Sequence, residues 1–178
     1  VWNATTCAML LEQSPESKIG DLVLDRSGRY LVAFGPESVV PSGLPQGVAA
    51  TVWDIETKRV VLSVPKEEGI VAIAFAADGA RFAIVGDKGD VKVWDLTTGT
   101  VRRTVTADPG PIAFSTNGQW LALGNRSIRV IDTESLRAVA QLDIGDEIRD
   151  LEFRDDDALI AARHFDSGAT KGSVELYR

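Results

Sequence analysis

The sequence predicts an all-β protein made of short antiparallel strands, grouped four at a time into a repeated unit. Three observations predict it. A tryptophan–aspartate strand end recurs, a polar glycine turn between two apolar runs recurs in step with it, and no stretch sustains the 3.6-residue period of a helix.

The first landmark is "TVWDIETKRVVLSV" (Thr51 to Val64), which matches "KVWDLTTGTVRRTV" (Lys92 to Val105). "RVIDTESLRAVAQL" (Arg129 to Leu142) is a third copy with Ile131 in place of Trp, "VELYR" (Val174 to Arg178) begins a fourth, and "VWNATTCAML" (Val1 to Leu10) is an earlier one. Trp53, Trp94, Ile131 and Leu176 are separated by 41, 37 and 45 residues. The second landmark is an apolar strand, a four-residue polar turn and another apolar strand, as in "AFAADGARFAIVG" (Ala74 to Gly86) and "AFSTNGQWLALG" (Ala113 to Gly124). Gly28, Gly79 and Gly118 end three of these turns, where glycine accepts positive φ without steric cost. The strand anchors Leu24, Phe75, Phe114 and Phe153 are spaced 51, 39 and 39. Four short strands per 40 or so residues is the arithmetic of a β-propeller blade.

Taken in order, residues 1–11 read as the end of a blade, 19–64, 70–105 and 111–142 as full blades, and 147–178 as three strands of a last one. A blade lies flat between two others, so its inner strand is expected to be apolar on both faces. "IVAIAF" (Ile70 to Phe75) fits, with large Val71, Ile73 and Phe75 on one face and small Ala72 and Ala74 on the other. Each tryptophan brings a large apolar body and one N–H that needs a partner. Asp54, Asp95 and Asp132 follow as turn residues whose carboxylates accept backbone N–H bonds, not as catalysts.

The last blade lacks an outer strand, and one is spare at the start of the chain. Either Cys7 to Leu11 closes a four-blade ring, or another chain or copy completes a larger one. The second is the expectation, because an open arc leaves an apolar flank in water. The chain begins with Val rather than Met, which suggests a processed product or a piece of something longer.

With these residues in view, the chain resembles the WD-repeat family of β-propellers. "VWDIETKR", "VWDLTTGT" and "FAADGARFAIVGDKGDVKVWD" (Phe75 to Asp95) carry the resemblance, which covers nearly the whole chain. It departs in one respect: the Gly-His pair that usually precedes the inner strand is missing, as in divergent, bacterial-like repeats, so the family's His-centred hydrogen-bond network cannot form. The resemblance implies seven or eight blades as the usual ring, and a role as a docking or sensor module of a larger multidomain protein.

Composition narrows the partners. The chain has 178 residues, 44% apolar and 25% charged, the profile of a globular domain. Its net charge of −7 repels phosphate, so neither nucleic acid nor an anionic membrane is an expected partner. No apolar run approaches the ~20 residues of a membrane span, and no leader opens the chain. Cys7 is the lone cysteine, so no internal disulfide is expected and a cytoplasmic home is the default.

Antiparallel connectivity puts the second-to-third turns and the blade-to-blade loops on one face of the ring, and all the length variation falls there. The long loop at 35–50, with Glu37, Val39, Val40 and Leu44, and the loop at 163–172, with His164 and Phe165, mark a candidate face for a protein or peptide partner. Neutral insertion explains them equally well. Glu67, Glu68, Asp87, Asp108 and Asp146 make that face acidic, with Arg126 among its few cations, which would steer a basic peptide. Solubilising loops are the plainer reading of the same charges.

Chemistry is sparse. His164 and Cys7 lie on different blades, and no zinc or phosphate-loop spacing occurs. No catalytic residue, metal ligand or cofactor is expected. "DDD" (Asp155 to Asp157) reads as a solvated turn, and Asn3 and Asn125 sit in glycosylation sequons by letter only. Asp21 and Asp150 each lie three residues before an inner-strand anchor and so line the central channel. They could hold a metal or ligand; more often such carboxylates accept backbone bonds from a neighbouring blade or face channel water. The expected function is a non-enzymatic interaction scaffold. The alternatives are a propeller hydrolase or lyase using channel carboxylates and a metal, or a purely structural segment that completes a ring.

Overall fold

The computed structural model describes residues 1, 5, 6, 9, 21–34, 48–65, 69–145, 147–154, 158–163 and 174–177. Among them every regular element is a β-strand, and no helix is long and apolar enough to cross a membrane. The chain divides into two compact units, Val1–Ile70 and Val71–Arg178.

The first unit holds one antiparallel sheet in chain order: β1 (Asp21–Leu24), β2 (Tyr30–Phe34), β3 (Val48–Asp54) and β4 (Arg59–Pro65). Two further four-stranded sheets follow the same plan. One runs β5 (Ile70–Phe75), β6 (Arg81–Gly86), β7 (Asp90–Asp95) and β8 (Thr100–Thr106). The other runs β9 (Ile112–Phe114), β10 (Trp120–Gly124), β11 (Ser127–Asp132) and β12 (Ala138–Asp143). The last sheet has three strands, β13 (Ile148–Phe153), β14 (Leu159–Arg163) and β15 (Val174–Tyr177).

Each first turn is built the same way. The amides of Gly28, Gly79 and Gly118 donate to the carbonyls of Asp25, Ala76 and Ser115, at 3.0, 3.0 and 2.8 Å. The next strand then docks through Ile55, Leu96 and Thr133, whose amides reach Arg29, Ala80 and Gln119. The third and fourth strands also repeat a fault: their register slips between Val52 and Trp53, between Val93 and Trp94, and between Val130 and Ile131. This is a β-bulge at the same place three times.

Within the second unit the sheets pack face to face. Ala83, Val85, Val91 and Val93 of β6 and β7 cover Ile112, Phe114, Leu121, Leu123 and Ile131 of the next sheet. Ala113, Ala122 and Ile128 of that sheet in turn meet Ile148 and Leu151 of β13. Small residues on one face thus meet large ones on the next, and each fully buried large side chain contributes roughly 1.5–3 kcal/mol. Contact is close enough that a Cβ on Gly124 would lie 2.8 Å from the Leu151 side chain.

Two expectations fare differently. Ile73 is buried as foreseen, but Val71 on the same strand is 45% exposed, so β5 is not covered along its whole length. The indole N–H groups of Trp53 and Trp94 are buried and find no hydrogen-bond partner among the described residues. Apolar contact surrounds them instead: Trp94 stacks on Phe82 with centroids 6.1 Å apart, and Trp53 clusters with Ala33, Ile55 and Leu31.

Candidate binding face

The end of each sheet that carries the second-to-third turn also carries the connections to its neighbours. In the second unit this end is stitched together by main chain. The Ala107 amide donates to the Gly89 carbonyl at 2.7 Å and the Gly124 amide to Pro111 at 2.9 Å. Asn125 is the hub. Its Nδ2 donates to the Pro109 carbonyl at 2.7 Å, and its own carbonyl accepts the Ile148 amide at 2.7 Å. The Arg126 carbonyl accepts the amides of Ile144 and Gly145, each at 3.0 Å. Arg129 adds a bond from Nη1 to the Thr106 carbonyl at 3.2 Å. A Cβ on Gly110 would overlap the Gly124 carbonyl oxygen, so only glycine lets these two segments touch.

On this base sit exposed charged side chains: Asp87 and Lys88 on the β6–β7 turn, Asp108 on the β8–β9 connection, and Arg126 on the β10–β11 turn. Asp143 at the end of β12 and Glu147 on the connection after it are also exposed, and Glu147 pairs with Arg149 of β13 at 3.5 Å. The described part of the face therefore carries both signs. A cavity of about 20 Å³ beneath Asp108, Asn125 and Arg129 has room for about one water molecule.

Of the residues singled out from the sequence, Asp87, Asp108 and Arg126 come to this end of the second unit. Glu37, Val39, Val40, Leu44, Glu67, Glu68, Asp146, His164 and Phe165 lie outside the described residues. Asp21 and Asp150 are exposed on inner strands of separate units. Among the described residues each accepts the amide of the very next residue, Leu22 at 2.7 Å and Leu151 at 2.9 Å. Among the described residues no group of three His, Cys, Asp or Glu side chains is placed to hold a metal ion. Sequence reasoning missed Asn125 and Arg129. A polar residue directly after a strand-ending glycine was the available signal, but its partners lie 16 and 23 residues away.

The opposite end of the sheets is closed by aspartates. Asp54 Oδ1 accepts the Thr57 amide at 3.0 Å, Asp95 Oδ1 those of Thr97 and Thr98 at 2.9 and 3.1 Å, and Asp132 Oδ1 the amide and hydroxyl of Ser135, both at 2.7 Å. Burial pushes the Asp54 carboxyl up, but the Thr57 amide and the Arg29 guanidinium at 2.9 Å together hold it below the usual range. The Thr98 amide does the same for Asp95, and the Ser135 hydroxyl and amide for Asp132. These carboxylates are engaged as acceptors in turns. A second tie crosses between sheets: Arg81, held by Asp78 at 2.7 Å, donates from Nη1 to the Thr133 hydroxyl at 3.0 Å, and Thr133 donates to the Gly118 carbonyl at 2.8 Å.

Four-stranded antiparallel sheets that pack face to face, joined in chain order, define a β-propeller type of fold. No protein-family model matches the chain, and no curated protein matches it. Among 1350 matching chains of known structure, the RRP9 WD40 repeats superpose with a TM-score of 0.66 at 17% identity, over 85% of this chain and 46% of that one. Hydrazine synthase of Kuenenia stuttgartiensis superposes with a TM-score of 0.67 at 22% identity, over 87% of this chain and 44% of that one. The chain thus spans less than half the length of these propeller chains. At such identities the likeness shows the fold alone.

Proposed function

We propose that the chain is a non-enzymatic interaction module built of divergent WD-type repeats, binding a protein or peptide through the loop end of its sheets. The observation that carries this reading is the stitched base at that end. Asn125, Gly110 and Gly124 lock neighbouring connections together, so Asp87, Asp108 and Arg126 project from a rigid platform, which keeps the ordering cost of binding low. The likeness to WD40 repeats supports the reading. The other neighbour is a synthase, so the fold also hosts catalysis elsewhere, and the argument rests on the face rather than on the fold.

Fluorescence anisotropy with a labelled lysine-rich peptide tests it, with a glutamate-rich peptide as control. Binding of the lysine-rich peptide that weakens with salt, and weakens further in Asp87→Lys/Asp108→Lys, is the expected result. Equal binding of both peptides, or of wild type and variant, would reject it.

A further inference from the structure

We infer that Asn117 is a site of spontaneous deamidation which the folded turn between β9 and β10 holds shut, so that the change accumulates only through openings of that turn. The site lies at the end of the sheet away from the candidate binding face and does not depend on the function proposed for that face.

Of the three asparagines in the chain, only Asn117 stands before a glycine; Asn3 precedes Ala4 and Asn125 precedes Arg126. The reaction needs the next main-chain nitrogen to attack the side-chain carbonyl carbon, and a side chain on that next residue obstructs the approach. The Gly118 nitrogen gives its proton to hydroxide and forms a bond to Asn117 Cγ. The Cγ–Nδ2 bond breaks, and the nitrogen leaves as ammonia with a proton taken from water. Water then opens the five-membered imide at either of its carbonyls. One opening leaves aspartate at position 117; the other leaves isoaspartate, in which the main chain continues through the side-chain carbons. Nothing is oxidised or reduced, and water is the sole co-reactant.

The structure holds both reacting groups. The Gly118 amide donates to the Ser115 carbonyl at 2.8 Å, so its proton is engaged inside the turn. Asn117 Oδ1 accepts the Gln119 amide and the Ser115 hydroxyl, both at 2.8 Å. That hydroxyl is fixed in its turn: Ser115 is fully buried, and its Oγ accepts the Trp120 amide at 2.9 Å. From the neighbouring sheet Arg81 lies against the same turn, with Nη2 held by Asp78 at 2.7 Å and set 2.6 Å from where a Cβ on Gly118 would stand. The Gly118 amide must release its proton and swing toward Cγ, so these bonds have to break before the ring can close. Asn117 is itself exposed, so water meets the imide as soon as it forms.

The second sheet shows that one product fits. Asp78 stands before Gly79 as Asn117 stands before Gly118, and its Oδ1 accepts the Ala80 amide at 2.9 Å as Asn117 Oδ1 accepts that of Gln119. Aspartate at 117 keeps this bond and adds a carboxylate to a turn that Arg81 already faces. Isoaspartate lengthens the main chain by one carbon and misplaces the Gly118 amide relative to the Ser115 carbonyl. One event therefore has two outcomes: a turn that closes again with an added negative charge, and a turn that does not.

Tandem mass spectrometry of the full chain, held in mildly alkaline buffer with and without unfolding urea, tests the proposal. A gain of one mass unit at Asn117, about tenfold or more slower in the folded chain than in urea, is the expected result. No gain at Asn117 in urea overturns the proposal, because the residue is then no site. Equal rates in the two conditions overturn it as well, because the turn then holds nothing shut. This comparison needs no variant to fold. Arg81→Met and Ser115→Ala each raise the rate of the folded chain severalfold and leave the rate in urea unchanged; a folded rate that neither moves overturns the proposal. Asn117→Asp keeps the wild-type urea midpoint, and a lowered midpoint overturns the turn that closes again.

Discussion

Leu24 and Phe114 end the first strand of their respective four-stranded sheets, each beside a leucine in register, and live in different surroundings. Phe114 lies under the alanine and valine face of the preceding sheet, and Leu24 lies half in water. The turn beyond each repeats the contrast: Arg81 covers Gly118, and open space lies beside Gly28. One sequence plan therefore has two energetic states, and neighbouring sheets decide between them. A strand of this kind gains little from its own hydrogen-bond ladder beyond what water offers, and gains most from the face it covers.

The largest expected effect breaks the comparison at its centre. Phe114→Ala costs about 3–5 kcal/mol in urea denaturation, because it leaves a hole between two packed sheets. Leu24→Ala, at the matching place, costs less than about 1 kcal/mol. Next come the two glycines, with φ of +70° at Gly118 and +75° at Gly28. Alanine at either is strained by about 1–2 kcal/mol, and Gly118→Ala is the worse of the two because Arg81 must also move. Arg81→Met removes the tie to Thr133 and costs about 0.5–1.5 kcal/mol. Arg81→Met together with Gly118→Ala then costs less than the sum of the two single changes, a coupling that a double-mutant cycle reads directly.

A pH titration separates the turn aspartates from both faces. Asp54, Asp95 and Asp132 have folded-state pKa values below their ordinary range, so the unfolded chain binds protons first as acid is added. Their contribution is whole above about pH 4 to 5 and fades as pH falls through the lowered values. A melting midpoint flat from pH 7 to 5 and falling below about pH 4 is the expected profile. A mild effect is expected at the buried Trp94. Its indole N–H has no partner among the described residues, so Trp94→Phe forfeits some packing but none of the hydrogen bonds described, and costs within about 1.5 kcal/mol.

Much of this fold was legible because the repeat writes its strands and turns locally. Gly28, Gly79 and Gly118 stand where the chain must turn left-handed, and apolar runs such as "RFAIVG" declare a buried second strand. What was not legible is whatever depends on company. Leu24 and Phe114 read as equivalents, and nothing in their own segments says that only one is covered. Val71 read as buried for the same reason. The tie from Arg81 to Thr133 spans 52 residues and has no local signature. The candidate binding face was half legible. The positions of Asp87, Asp108 and Arg126 follow from connectivity alone, but Asn125, whose side chain ties the connections beneath them, drew notice only as a glycosylation sequon by letter.

The bulge at Trp53, Trp94 and Ile131 reaches beyond the strands that contain it. Two residues set against one add twist to the outermost strand each time. An outer strand twisted in this way offers a poor template for a straight newcomer, and Pro65 at the end of β4 lacks the donor that such pairing needs. A molecule that stacks sheets flank to flank must stop them from annealing rim to rim into fibres, and the same irregularity, inherited by each repeat, serves as that safeguard.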